Sequence, residues 1–372
     1  MKKLAVPLAI GLSLSILSAP VLAKSTIGGI VFLNTYLDQF EDTNNSDNDV
    51  DNFKLANAGN SRFRVKWTNE DRVTMYQELA VRGSGVSLRH AYGKWDFSET
   101  GSVLAGQTST PFAPLNATVA MVHNSGQGYG RTSPGRVSQM RYTYKFLNRN
   151  GAIAAALVDP NKGNDGTSID AAGNVTSLGL TRENSIPRLD VGLAYRTFNF
   201  QIFPSFFVHS MDLGNESITA SGISVGLKTG SGPLVFTAEF GTGKNWGNTA
   251  GSYSGSTAGN RAYALFNAAG AQEDDSDNTS FFFDVGYRFT GTETNGAVHF
   301  VFGSMTSEAT GTTASIDATS TMIGISIPID LPYIARGFRI RPELFVFDDE
   351  DNGTNAVDTT DTILGVQLQY TF

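Results

Sequence analysis

The sequence predicts an all-β protein, a transmembrane antiparallel up-and-down β-barrel of about 16 strands. Apolar and polar residues alternate with a period of two over repeated stretches of about ten residues, which is typical of strands. The connections between these stretches are alternately short and long, as in barrels with short periplasmic turns and long extracellular loops. The last stretch keeps this alternation up to the final residue, Phe372.

The first 23 residues have the three parts of a secretory signal peptide. Lys2 and Lys3 precede an apolar run from Leu4 to Leu17, and Val21-Leu22-Ala23 has the compact residues of a cleavage site. A membrane anchor is the alternative, but the run is shorter than the roughly 20 residues that a spanning helix needs. We therefore expect a signal peptide over residues 1–23 and one barrel domain over residues 24–372.

The composition limits the classes of function. The chain has 40 Gly and 25 Phe but no Cys, so an exported chain of this kind must be held together by sheet closure or core size. Its formal net charge of −8 gives no reason to expect a nucleic-acid partner. None of the four His stands in a zinc motif, and the acidic run from Asp348 has Thr359 where a calcium loop needs Glu. We expect no metal site and no cofactor.

The alternation is plainest from Arg62 to Trp67. Phe63, Val65 and Trp67 fall on one side of this predicted strand, and Arg62, Arg64 and Lys66 fall on the other. In a soluble sandwich the polar side would meet water, whereas in a membrane barrel it meets an aqueous lumen. Aromatic residues near strand ends favour the membrane barrel, since they suit interfacial girdles: Trp67, Tyr92, Trp95, Tyr142, Tyr144, Tyr195, Tyr287 and Tyr370.

The spacing of turn residues predicts the connections. The short ones lie near Asn69–Asp71, Ser98–Gly101, Asn148–Gly151, Thr197–Asn199, Gly230–Pro233, Gly291–Gly296 and Asp330–Gly337. The longer polar segments between them are 38–59, 108–136, 160–184, 212–218, 244–278, 308–318 and 348–361. The connection near Gly83–Gly85 is short although it lies on the long-loop side. This count predicts an even number of strands, with both termini on the short-turn side.

The last strand carries an apolar stripe of Leu364, Val366, Leu368, Tyr370 and Phe372. It resembles the C-terminal strand of Gram-negative outer-membrane barrels, which typically ends in an aromatic residue, usually Phe. The resemblance implies location in the cell outer membrane. It also implies that the barrel-assembly machinery recognises Leu368, Tyr370 and Phe372. The alternative is a soluble edge strand, but an exposed apolar edge is an aggregation hazard.

A second resemblance concerns residues 85–112. Residues 87–95, then 101–107, then Pro111-Phe112 are similar to the pattern of the general porins, in which an Arg-x-Ala-Tyr-like strand turns and returns before the third loop. The resemblance implies a homotrimer surrounded by outer-membrane lipid and lipopolysaccharide. The almost absent second external loop departs from the family, because that loop joins neighbouring subunits in many trimeric porins. The departure concerns the trimer contact more than the pore.

The predicted third loop, residues 108–136, is the candidate constriction, because the resemblance implies that it folds into the barrel. Two prolines stiffen its beginning, and it contains no Asp or Glu. General porins usually place acids there, opposite an arginine cluster. The alternative is a surface loop over the mouth. The candidate constriction residues are Pro111, Phe112, His123, Arg131 and Arg136.

Basic residues on the polar faces of the early strands indicate a wet interior. Each Arg or Lys facing lipid near the midplane would cost about 2–4 kcal/mol. The candidate pore-lining residues are Arg62, Arg64, Lys66, Arg82, Arg89, Arg141 and Lys145. A basic wall favours anions, although the predicted lumen acids Glu78, Asp96, Asp190, Glu239, Asp284 and Glu343 would offset part of it. The alternative is mutual salt bridging without an effect on selectivity.

These features together predict a pore for passive diffusion of small hydrophilic solutes. A substrate-selective channel of the same build is the closest alternative, and a barrel adhesin or enzyme is a more distant one. No nucleophile elbow stands out from the alternating pattern, and we expect no enzymatic activity. Acidic runs near residues 42–51, 273–277 and 348–351 are expected in solvated loops, where divalent ions could bridge them to lipopolysaccharide.

Overall fold

The computed structural model describes residues 24–82, 85–115, 120–124, 129–130, 132, 135–159, 163–170, 175–184, 186–249, 256–291, 294–312, 314–354 and 356–372. The expected signal peptide and Arg131 lie outside these residues, as do the side chains of Arg82 and His123. In this part of the chain, no helix is long and apolar enough to cross a membrane.

The chain folds into a closed antiparallel barrel of sixteen strands, as predicted. The strands are β1 (Lys24–Asp42), β2 (Val50–Asn57 and Arg62–Thr68), β3 (Val73–Arg82), β4 (Gly85–Trp95), β5 (Gly101–Ser109), β6 (Arg136–Phe146), β7 (Gly151–Val158), β8 (Arg188–Arg196), β9 (Phe200–Leu213), β10 (Glu216–Ser231), β11 (Leu234–Lys244), β12 (Asp277–Thr290), β13 (Asn295–Thr310), β14 (Ser315–Ser326), β15 (Phe338–Asp351) and β16 (Val357–Thr371). Both segments of β2 pair with β1, and the short strand Ile329–Asp330 bridges β13 and β15.

The barrel closes between its two terminal strands. β16 pairs with β1 from Ile30↔Thr371 to Asp42↔Thr359. At the end of this seam, the Gly29 amide donates to the Phe372 carbonyl at 3.0 Å. Every strand therefore has two neighbours, and no open edge is left to pair with another chain.

The turns lie at the predicted positions, but several loops are shorter than predicted. β1 and β2 leave only residues 43–49 between them, where the sequence suggests a loop over 38–59. The structure has shorter connections than predicted at 212–218, 308–318 and 348–361 as well. Asp348–Asp351 therefore forms the end of β15 instead of lying in a loop. Strands continue past the apolar belt here because their backbones stay paired after their outward side chains become polar.

Three connections remain long: loop 3 (110–135), loop 4 (159–187) and loop 6 (245–276). Loop 3 contains helix α1 (Met121–Asn124) and loop 6 contains helix α2 (Thr257–Asn260); 3-10 turns cover Ser46–Asn48, Leu147–Arg149 and Trp246–Asn248. Loops 4 and 6 share a small sheet of Thr167–Ile169, Val175–Ser177, Leu265–Phe266 and Gln272–Asp274, and Arg182–Glu183 of loop 4 pairs with β9. These two loops are thus tied to each other.

The outer surface is apolar, as lipid contact requires. Large hydrophobic side chains such as Met140, Ile223 and Leu364 are exposed on it. Of the predicted girdle, Trp95, Tyr142, Tyr144, Tyr287 and Tyr370 are exposed at the turn-side ends of their strands. The prediction was wrong for Tyr92. This residue faces the lumen, with its ring centroid 5.4 Å from that of Tyr76.

The interior divides into two halves. Beside β12–β16 the inward side chains form a dry core with residues of loops 3 and 6, and Phe282, Met322 and Phe345 are at most 1% exposed. A second cluster joins loop 3 to β9, β10 and loop 6. Beside β2–β8 many inward side chains remain partly exposed, Arg64, Lys66 and Arg141 among them. The water-filled part of the lumen therefore lies along β2–β8.

Candidate functional site

Loop 3 begins by packing onto the wall made by β8, β9 and β10. The Ala113 amide donates to Ser205 Oγ at 2.9 Å, and the ring centroid of Phe112 lies 4.7 Å from that of Phe207. Phe112 is 1% exposed. It was predicted to belong to the constriction loop, and it anchors that loop to the wall but does not line the passage. A Cβ on Gly192 would overlap the Pro111 carbonyl, which explains a glycine in the wall at this point.

The middle of loop 3 lies against the strands next to the seam. The Val122 amide donates to Glu343 Oε2 at 2.8 Å, and Asn34 Nδ2 donates to the Val122 carbonyl at 2.6 Å. Gln367 Nε2 donates to the Met121 carbonyl at 3.2 Å. Residues 111–113 contact β8 and β9, whereas Met121 and Val122 contact β1, β15 and β16, so these two described parts of loop 3 lie against different sides of the lumen.

The last part of loop 3 returns along β11–β13. The Tyr129 hydroxyl donates to Asp349 Oδ2 on β15 at 2.8 Å, and the Thr132 amide donates to Glu239 Oε1 on β11 at 2.7 Å. Burial, together with the Asp349 carboxylate, raises the pKa of Tyr129, so its hydroxyl keeps the proton that it donates. Loop 3 therefore lies inside the barrel, and the alternative of a surface loop over the mouth is wrong.

Wall acids hold a loop that has none of its own. Glu239, Glu343 and Asp349 each accept a hydrogen bond from loop 3. A carboxylate that accepts backbone N–H groups makes charge-assisted bonds, which are stronger than neutral ones. These acids are therefore used to position the loop, and they do not form the acidic side of a transverse field.

Arginines gather around one carboxylate on the wall facing loop 3. Arg89 Nε donates to Glu78 Oε1 at 2.7 Å, and Arg62 Nε lies 3.7 Å from Glu78 Oε2. A bulge opposite Glu78 shifts the register of β4. At the end of loop 3, Arg136 Nε donates to His90 Nε2 at 3.0 Å. The cluster has three guanidinium groups and one carboxylate, and so it is positive.

A cavity of about 290 Å³ lies below loop 3 toward the turn side. Lys94, Arg141, Lys145 and Arg196 bring four cations to it from three strands, and Pro111, Ala154 and Phe203 contribute an apolar side. No acidic residue is among the described residues that line the cavity. Asp96 nearby pairs with Lys94 at 2.7 Å.

Two of the four cations, Lys94 and Arg196, were missed by the sequence analysis. The signal that identifies them is the same alternation that singled out Arg62 and Arg64. Lys94 alternates with Trp95, and Arg196 follows the inward series of Arg188 and Asp190. Both lie near the turn-side ends of strands, inside the predicted strands, but neither was singled out as lining the pore.

The remaining predicted lumen acids are paired. Arg188 Nε donates to Asp190 Oδ1 at 2.6 Å, and both side chains are at most 1% exposed. Asp284 contacts His299 Nδ1 at 2.8 Å. Among the described residues, Arg64, Lys66, Arg141 and Lys145 form no ion pair with a carboxylate. The water-filled side of the lumen therefore keeps unneutralised positive charge.

Predicted residues outside the lumen are placed as follows. Leu368, Tyr370 and Phe372 are exposed on the outer surface of β16 and beyond its end. In the described part of the chain, no group of three or more His, Asp or Glu residues could hold a metal ion.

Together, loop 3 and the cations of the lumen form a narrowed aqueous passage with a basic wall.

Solved structures with the same fold are bacterial outer-membrane channels. The chain superposes on the outer membrane channel DcaP of Acinetobacter baumannii with a TM-score of 0.70, at 16% identity over 94% of this chain and 97% of that one. The anion-selective porin from Comamonas acidovorans gives 0.59, at 10% identity over 94% and 100%. The trimer form of OmpT from Vibrio cholerae gives 0.54, at 16% identity over 94% and 99%.

No model of a known protein family and no curated protein sequence matches the chain. At such low identity these likenesses show the fold alone, that of porin-type channels.

Proposed function

We propose that this protein is a porin of a Gram-negative outer membrane, which conducts small hydrophilic solutes passively and prefers anions. The observation that carries the proposal is the unneutralised positive charge along β2–β8, where many inward side chains of the described residues stay exposed. Barrels of sixteen strands are wide enough for an aqueous channel. Transport needs no covalent chemistry or cofactor.

The mechanism follows from charge and width. Loop 3 narrows the barrel, and a solute passes between it and the basic wall. Fixed cations lower the barrier for an anion and raise it for a cation, most strongly where the passage is narrow. One structural neighbour, the porin from Comamonas acidovorans, is anion-selective, which is in line with this preference.

The deciding experiment is conductance of the purified protein in a planar bilayer. In a KCl gradient we expect a reversal potential of the sign set by Cl⁻ permeation. A reversal potential of the opposite sign would contradict the proposed anion preference. The absence of any conductance would contradict the proposed porin function.

A substrate-selective channel is the second candidate. The turn-side cavity favours it, because cations from β4, β6 and β8 face an apolar side made by Pro111, Ala154 and Phe203. Liposome swelling separates the two candidates: a general porin shows only a size cutoff across neutral sugars and anions. A selective channel shows saturable entry of particular anions.

We propose a homotrimer in contact with lipid and lipopolysaccharide. Support comes from the trimeric form of one structural neighbour. Loop 2 consists of residues 83–84 only, so the subunit contact would use the outer faces of strands rather than a long second loop. Conductance steps in multiples of three, and crosslinking to a trimer in detergent, are expected. Single steps with a monomeric crosslinking pattern would exclude the trimer.

A further inference from the structure

We propose that loop 6 is a second constriction element, and that Asp349 is the positioning residue that holds loops 3 and 6 together against the wall. The two loops would jointly set the size limit of the passage. This inference rests on the proposed channel function and goes beyond it, since general features of a porin assign a constriction to loop 3 alone.

The helix of loop 6 lies inside the barrel. The Ala258 amide donates to Ser320 Oγ on β14 at 3.0 Å, and Ser307 Oγ on β13 donates to the Ala258 carbonyl at 2.7 Å. Ser256 Oγ caps the helix by accepting from the Gly259 amide at 2.9 Å. Ser256 and Ala258 are fully buried. This short helix is therefore packed on inward faces of the wall and does not cover the mouth from outside.

One carboxylate joins the two loops. Asp349 Oδ1 accepts from the Thr257 amide of loop 6 at 2.7 Å, and Oδ2 accepts from the Tyr129 hydroxyl of loop 3 at 2.8 Å. Ser320 Oγ also donates to Asp349 Oδ1. Both oxygens are thus used, one by each loop. Removing the carboxylate would leave buried donors on both loops without their acceptor.

A second acid on the same face of β15 holds loop 6 two residues further on. Arg261 Nε lies 3.0 Å from Asp351 Oδ2, and the Asp351 side chain is fully buried. Between them, Glu350 points outward and is exposed. The acidic run at the end of β15 therefore divides by strand alternation into two inward acids that bind loop 6, Asp349 and Asp351, and two outward acids, Asp348 and Glu350.

The two loops fill one half of the lumen together. Tyr129 of loop 3 and Ala258 and Tyr263 of loop 6 belong to the same buried cluster as Phe282 and Phe345 of the wall. Loop 3 alone would leave this half of a sixteen-stranded barrel unfilled. Solutes are confined to the β2–β8 side because loop 6 occupies the volume beside β13–β15.

The test is Asp349→Ala, with Glu350→Ala as the matched control on the same strand. We expect Asp349→Ala to raise single-channel conductance and to shift the exclusion limit for neutral polymers toward larger sizes. Glu350→Ala should behave as the wild type. If Asp349→Ala does not fold, Ser320→Ala removes the acceptor of the Ala258 amide and is expected to shift the limit in the same direction.

A reversible tether gives an independent result, because the chain contains no cysteine. With Ala258→Cys and Ser320→Cys added to Asp349→Ala, oxidation should restore the wild-type exclusion limit and reduction should abolish the effect. A conducting wild type whose exclusion limit is unchanged by Asp349→Ala and Ser320→Ala overturns this inference. A wild type that does not conduct overturns the proposed function instead.

Discussion

At the scale of single residues, the lumen contains charges that are held by a bonding partner and charges that are not paired with an opposite charge. The predicted acids each hold a partner: Glu78 an arginine, Glu239 and Glu343 loop 3, and Asp284 a histidine. Mutual salt bridging therefore describes Glu78, Asp96 and Asp190 but not Glu239 and Glu343. Several cations on β2 and β6 keep no acidic partner among the described residues. This imbalance is the physical basis of the proposed anion preference.

Charge reversal at Lys145, which lines the turn-side cavity, tests that preference. Changing Lys145 to Glu raises the energy of a Cl⁻ ion about 5 Å away by about 1 kcal/mol at 0.1 M salt and lowers that of a K⁺ ion by the same amount, and the difference of about 2 kcal/mol is about thirtyfold in a permeability ratio. We expect the Cl⁻/K⁺ permeability ratio of Lys145→Glu to fall by that order. Arg149→Glu is the control, since Arg149 lies in a turn with its side chain 59% exposed. An equal effect of both variants would assign the change to surface charge.

The pair of Arg188 and Asp190 is expected to act on stability. Arg188 also stacks over the ring of Phe207 at 4.3 Å, so its guanidinium group is fully desolvated. Asp190→Ala leaves that charge buried without its carboxylate, at a cost of about 3–5 kcal/mol. We expect a lower unfolding midpoint in detergent, and a smaller loss for the double variant Arg188→Leu with Asp190→Leu. Equal losses would show that the charge itself does not matter.

At the scale of elements, the path of loop 3 depends on residues of the barrel wall as well as on residues of the loop. Glycines on inward faces mark the points where the loop backbone approaches a strand: Gly192 faces Pro111, and Gly303 faces Tyr129. A strand glycine is a recognised sign of close backbone approach. The sequence alone does not tell such glycines from those at other strand positions, because the approaching segment is distant in the chain.

Gly303→Ala should therefore displace loop 3. A Cβ at this position would overlap the Tyr129 carbonyl and come within 3.3 Å of the Gly130 amide. We expect a loss of about 1–3 kcal/mol in stability, as for overpacking of a core, and faster protease cleavage within loop 3. Gly93→Ala is the matched strand control, since nothing lies within 4 Å of its Cβ. Cleavage at the same rate in both variants would contradict the close approach.

At the scale of the whole molecule, closure of the barrel depends on its last strand. β16 pairs with β15 on one side and with β1 on the other. Phe372 extends the apolar stripe beyond β16, with its ring centroid 6.4 Å from that of Tyr370. Until closure, the backbone edge of this last strand is unpaired, which suits the proposed recognition of its apolar stripe by assembly machinery.

Phe372→Ala tests the proposed assembly signal. We expect less folded, heat-modifiable barrel in the membrane fraction, because the terminal aromatic residue of the stripe is lost. Phe198→Ala provides the comparison, since Phe198 is fully exposed in the turn between β8 and β9. If Phe372→Ala assembles at wild-type levels, Phe372 is not part of the assembly signal.

The alternation of side chains by itself determined the barrel, its strand number and the inward position of residues such as Arg64 and Lys145. Period-two patterning is local, so it can be recognised without knowledge of distant contacts. Only the tertiary structure decided that loop 3 lies inside, that loop 6 joins it at Asp349 and that half of the lumen is dry. Those features depend on contacts between residues about 90 to 220 positions apart, which no local pattern specifies.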